Sequence, residues 1–165
     1  QFKLETLNQG AIPPADKIEL QKFNTSLADT YREFLAEAQR KNDMSNKIRF
    51  LNAAIISGER VPVELKPEIR KVEEILTQAE IIISGDKVLT SREFEAYPGL
   101  YGQIADIVYN VWNTSCGPTG TQVKTLELTN KRLDELRKIN ASARSQILKI
   151  EEDLNKAKAP YTPGR

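Results

Sequence analysis

Apolar residues near the end of the chain recur in steps of three and four: Leu126, Leu133, Leu136, Ala143, Ile147, Ile150, Leu154 and Ala157, with Thr129 and Asn140 filling the remaining rungs. That spacing puts all ten on one narrow face of an α-helix, and a face so long must lie against another helix. A second long pattern stands near the start. Leu20, Phe23, Leu27, Tyr31, Phe34 and Ala38 form one stripe, which Met44, Ile48, Leu51 and Ile55 continue after an interruption at Lys41. At about 1.5 Å per residue, a first helix over 15–56 is a rod of roughly 60 Å.

Between these lie two shorter helical patterns. Ile69, Val72, Leu76, Ala79 and Ile83 predict a second helix over 67–84, opened by Pro67 and closed by Gly85. Leu100, Tyr101, Ile104, Ile107, Val108, Val111 and Trp112 predict a third over 100–113, whose wide apolar stripe implies burial on more than one side. The fourth helix is expected over 119–159. Residues 1–14 form a lead-in, and Pro14 suits a helix start because its missing N–H costs nothing there. The stretch 81–89 reads either as the end of the second helix or as a small hairpin. Residues 90–99 read as an irregular connector with a Pro98-Gly99 turn.

Short loops between successive helices favour antiparallel neighbours. The expected fold is therefore all-α: one domain over 1–165, running up, down, up and down. Phe50, Ala53, Ala54 and Ile56 broaden the first helix near its end, and Val123, Leu128 and Ile139 broaden the fourth near its start. A four-helix half is expected there. The other half would be a protruding antiparallel coiled coil of the two long helices, with Phe23, Leu27, Tyr31 and Phe34 against Ile147, Ile150 and Leu154. Both chain termini would meet at its tip. Asn140 is a polar rung able to fix register. These eight residues are the expected interaction surface. Tyr97, Tyr101, Tyr109 and Trp112 are a separate aromatic concentration, read either as core or as a platform for a sugar or a partner surface.

Composition removes most chemistry. The 24 basic and 23 acidic residues are interspersed, which argues against a nucleic-acid footprint or a polybasic membrane patch. The absence of histidine takes away the usual general base and the commonest metal ligand. With one cysteine, Cys116, no internal disulfide or multi-thiolate metal site is possible, and no base is at hand to activate it. No apolar run reaches the ~20 residues of a membrane span. The "CGPTGTQ" loop lacks the Gly-Lys-Ser/Thr core of a phosphate loop, so Thr119 or Thr121 is read as a helix N-cap. The carboxylate clusters at Glu73-Glu74 and Glu151-Glu152-Asp153 lack the Glu-x-x-His repeats of a di-iron bundle. Asn24, Asn113 and Asn140 begin N-x-S/T matches, of which Asn24 and Asn140 fall on helices. No catalytic, cofactor-binding or metal-ligating residue is expected, and the segment is not expected to be an enzyme.

Four motifs in the second half carry a family resemblance. "EAYPGLYGQIADIVYNVW", then "GPTGTQ", then the long heptad helix, then "APYTPGR" resemble the C-terminal helical extension of bacterial BNR/Asp-box repeat proteins. The matching residues are Tyr97-Pro98, Val108-Tyr109, Gly117-Pro118-Thr119 and Ala159 to Arg165, so the likeness covers about 94–165. The first helix matches more loosely, around Phe23 and from Asn46 to Leu51. Such proteins are large and secreted, with sortilin-like β-propellers, and are often labelled glycosyl hydrolases. The resemblance implies an extracellular or periplasmic location and a role as helical appendage to a propeller on the same chain; separately, the apolar stripes of the long helices would allow a homo-oligomer. Any hydrolase site would lie on the propeller, and no catalytic residue transfers. The start at Gln1 fits a piece excised from a larger protein.

Overall fold

The computed structural model describes residues 14–58, 62, 64–112 and 116–163. Residues 1–13 of the lead-in expected over 1–14, the motif at Asn113 and the closing Gly164-Arg165 lie outside them, while Pro14 already belongs to the first helix. Five helices are described: α1 (Pro14–Ser57), α2 (Leu65–Ser84), α3 (Lys87–Ser91), α4 (Leu100–Trp112) and α5 (Gly120–Lys156), with no strand among the described residues. The all-α bundle and the two long helices packed on each other match the sequence reading.

Local chemistry accounts for the helix ends. Pro67 falls inside the first turn of α2, where its missing N–H removes only a donor that has no helical partner. Thr119 caps α5 in a capping box: its hydroxyl accepts from the Gln122 N–H at 3.2 Å, and the Gln122 side chain accepts from the Thr119 N–H at 2.8 Å. Asp86 caps α3, accepting from the Val88 and Leu89 N–H groups at 2.9 and 3.1 Å. The stretch 81–89 is therefore the last turn of α2 followed by a new short helix, and not a hairpin. Two ends wind into the left-handed region on residues other than glycine. Glu93 (φ 60°) closes α3 and Lys158 (φ 53°) closes α5. At the latter, Ala159 N–H donates to the Leu154 carbonyl and Lys158 N–H to that of Asn155, a Schellman pattern that folds buried Ala159 back over Leu154.

The direction of the long helices differs from the expectation. Thr30 meets Asn130, Glu33 meets Arg137, Glu37 meets Asn140 and Lys47 meets Glu151. Partner numbers rise together, so α1 and α5 run parallel. The expected antiparallel coiled coil is corrected accordingly, and the ends of the described chain lie at opposite ends of the bundle instead of meeting. The reason is at Gly85 and Gly99. A Cβ on Gly99 would sit 2.4 Å from the Gly85 nitrogen and 2.5 Å from the Ile83 carbonyl oxygen, so the two backbones touch. The chain leaves α2 at Gly85 (φ 83°), loops out through α3, and returns to the same point to begin α4. There α4 carries on in the direction of α2. Arg132 of α5 pins the return by donating to the Pro98 carbonyl at 2.6 Å.

The result is three rods: α1, α5, and the stacked pair α2 and α4 running back against both. Two cores lie along them. One joins Ile48, Leu51 and Ile55 of α1 with Leu65 to Leu76 of α2 and Ala143 to Leu154 of α5. The other joins Phe23, Leu27 and Phe34 with Ala79, with Leu100 to Val111 of α4 and with Leu126 to Leu136 of α5. A polar layer sits between them. Asn140 donates to the Glu37 carbonyl at 3.1 Å and to its carboxylate at 2.8 Å, both residues being buried. Nearby, the Lys41 ammonium donates to the Glu80 carboxylate at 2.6 Å. Burial opposes the charge on Glu80, but the bonds from Lys41 and Ser84 and the charges of Lys41 and Lys87 outweigh it, holding the carboxyl below its ordinary 4.5.

No four-helix half exists among the described residues. Phe50, Ile56, Val123 and Leu128, which were to broaden the stripes there, are exposed.

Candidate functional site

The expected interaction residues do not form one surface. Phe23, Leu27 and Phe34 are buried in the α4-side core, and Ile147, Ile150 and Leu154 in the other. They never meet, because parallel rods put them at opposite ends. Asn140 is sealed in the polar layer. Tyr31 alone of the eight is exposed: the α1 face turned to α5 carries Thr30 and Glu37 in place of Tyr31 and Ala38.

The aromatic concentration is also placed differently from the core reading. α4 buries Leu100, Ile104, Ile107 and Val111 at helical spacing, which turns the rest of its apolar residues outward. Trp112 is 86% exposed, Tyr109 70% and Tyr101 62%. Tyr101, Ala105, Tyr109 and Trp112 follow at steps of four, four and three, so they form one outward stripe. On α1, Asn24, Ala28, Tyr31 and half-exposed Leu35 form a matching stripe at the same spacing. Tyr97 is exposed as well but lies in the connector before α4.

Between the two stripes runs a groove of about 650 Å³. Its floor is Leu27, Ile104, Val108 and Val111, with Ala28 and Ala105 leaving the space and Tyr31, Tyr101, Tyr109 and Trp112 forming the walls. Tyr101 rests on the core through Phe34, ring centroids 6.5 Å apart and tilted by 46°. Among the described residues no acidic or basic side chain lines this groove, and Asn24 supplies its amide. It is suited to apolar and aromatic matter and not to ions.

A larger cleft of about 840 Å³ lies between α1 and α5, bordered by Glu37, Arg40, Lys47, Arg137, Asn140 and Arg144 among others. Its charges are mostly matched within the protein: Arg40 with Glu37, Arg137 with Glu33 and Asp134, and Lys47 with buried Glu151 at 2.6 Å. The acceptor oxygen of Asn140 is bonded to no described group, yet it is closed off from solvent and so beyond a ligand's reach. This cleft is read as structural. Cys116 is exposed and unbonded to another cysteine. Among the described residues no cluster of three or more metal-ligating side chains occurs, and no helix is long and apolar enough to cross a membrane.

Periodicity alone could have separated the two faces of α4. Leu100, Ile104, Ile107 and Val111 make a complete core stripe, so Tyr101, Tyr109 and Trp112 were left over. No family model, curated protein or solved structure matches this chain.

Proposed function

We propose that this chain is a non-catalytic helical assembly module whose α1/α4 groove receives an apolar surface of a protein partner. The observation that carries the reading is the groove itself: exposed aromatic side chains around an apolar floor, opened by Ala28 and Ala105, with no charged side chain among the described residues of its lining. Exposed apolar patches beyond a few hundred Å² mark interaction sites on soluble proteins, and tyrosine and tryptophan are the residues most enriched in binding hot spots. The long-helix stripes close internally, so they are not the working surface. The resemblance of residues 94–165 to the tail of BNR/Asp-box propeller proteins supplies the context. In it the module is a secreted appendage to a propeller on its own chain, and any hydrolase chemistry belongs to the propeller.

The test is the accessibility of Trp112, the single tryptophan. In dilute chain, acrylamide should quench it nearly as well as free tryptophan, and an anilinonaphthalene sulfonate probe should bind and be expelled by Ala105→Arg. A strongly protected Trp112 under these conditions sinks the reading.

The same exposed rings support a second reading, a carbohydrate- or peptide-binding accessory module using Tyr97, Tyr101 and Trp112. Titration with soluble neutral oligosaccharides, followed by Trp112 emission, decides it. A saturable change favours a sugar; a flat response leaves the protein partner.

A further inference from the structure

The groove's own geometry names an occupant, and the argument rests on the assembly reading above. We propose that the α1/α4 face pairs with the same face of a second copy of this chain about a twofold axis.

An isologous interface requires one patch to complement itself. The α4 stripe meets that requirement. A twofold axis through its middle, between Ala105 and Val108, brings two α4 helices together antiparallel. Each Tyr109 then faces the other copy's Ala105, large against small, and each Tyr101 faces the other copy's Trp112. Aromatic pairs so placed add attraction beyond their buried area. Large-into-small packing is also what fills a groove floored by Ala28 and Ala105.

The area is of the right size. Taking ~150–250 Å² for each aromatic side chain, the exposed parts of Tyr31, Tyr101, Tyr109 and Trp112, with Leu35 beside them, come to on the order of 600 Å² per copy. A standard interface takes about 800 Å² from each partner, and ordinary neighbours of these side chains supply the difference. The described lining carries no charged side chain, so it adds none of the like-charge repulsion that penalises identical surfaces facing each other.

The experiment follows the whole 165-residue chain from dilute to concentrated solution, by sedimentation equilibrium for mass and by acrylamide quenching of Trp112. The expected result is a reversible dimer, with quenching falling several-fold as it fills. Ala105→Arg should stay monomeric with Trp112 open at every concentration. Alanine and arginine both favour helix, so a helical spectrum and melting like the parent's would show that the fold is intact. A dimer that survives Ala105→Arg overturns the proposal. So does a chain that stays monomeric with Trp112 open, and if its emission shifts blue on neutral phosphatidylcholine vesicles, the face belongs to a lipid surface instead. The surviving dimer and the open monomer leave the groove reading standing; the blue shift on vesicles removes its protein partner too. A Trp112 already protected in the dilute monomer overturns both.

Discussion

Single residues set the balance of this fold at three places. Lys158 holds a left-handed conformation that costs a side-chain-bearing residue about 1–2 kcal/mol. Lys158→Gly should therefore raise stability by about 0.5–1 kcal/mol in urea unfolding, with the helix content unchanged. Asn140 is the opposite case. Its amide donates to the backbone carbonyl and the carboxylate of buried Glu37, and Asn140→Ala leaves that carboxylate with Arg40 alone, one buried oxygen unpaired, so a loss of about 1–3 kcal/mol is expected. Replacing both residues by leucine should recover most of the loss, because two apolar groups leave no buried acceptor unpaired. If the double variant is as unstable as the single, the layer's polar pairing is not the cause. Thr30 contributes a smaller constraint. Its one hydroxyl proton has two acceptors within reach, the Ser26 carbonyl at 2.9 Å and the Asn130 side-chain oxygen at 2.8 Å, and serves one at a time.

At the scale of elements, the joint between α2 and α4 decides the topology. Gly99→Ala drives a methyl group into the backbone at Ile83 to Gly85, where no flexible side chain can yield. A loss of about 1–3 kcal/mol is expected on thermal or chemical unfolding. The Lys41–Glu80 pair ties α1 to α2 next to that joint, and its contribution depends on pH. The Glu80 carboxyl sits below its ordinary value in the folded chain, so its stabilising effect is complete above 4.5 and disappears as pH falls through the lowered value. Glu80→Gln should melt below the parent at neutral pH and alongside it in strong acid. Equal melting temperatures at neutral pH would show that the pair contributes nothing.

Much of this level could be read from the sequence. The α5 rungs from Leu126 to Leu154 are all buried, Thr129 and Asn140 included, because a 3–4 repeat is geometry that any packed helix must obey. The helix boundaries fell within a few residues for the same reason. The joint was not legible, because contact between Gly85 and Gly99 is a tertiary event and each glycine alone reads as a stop. Helix lengths did hold a clue. At 1.5 Å per residue, α2 and α4 end to end come to about 50 Å and α5 to about 55 Å, so the two short helices back α5 along its length when α4 continues in the direction of α2. The mistaken face of Tyr31 follows from the same error, since changing the partner's direction changes which side of α1 it covers.

The described residues form a three-rod bundle with an exposed aromatic groove on its α1/α4 side. The parallel pairing of α1 and α5 is open to a direct test: in a Cys116→Ser background, Thr30→Cys with Asn130→Cys should be joined by a short bismaleimide. Ser26→Cys with Gln146→Cys, which an antiparallel pair would bring together, should not. The reverse pattern would restore the antiparallel arrangement. Tyr101, Tyr109 and Trp112 were legible as apolar but not as exposed, because burial is a property of the assembled rods and not of a stripe.

Parallel outer rods have a mechanical consequence. Tension applied at the start of α1 and the end of α5 acts along the long axis, with the two helices pulled in opposite senses past one another. Their side-by-side bonds, from Thr30–Asn130 to Lys47–Glu151, are then loaded together in shear rather than opened one at a time as in a zipper. A bundle built this way resists stretching between its two ends, which stand about 55–65 Å apart.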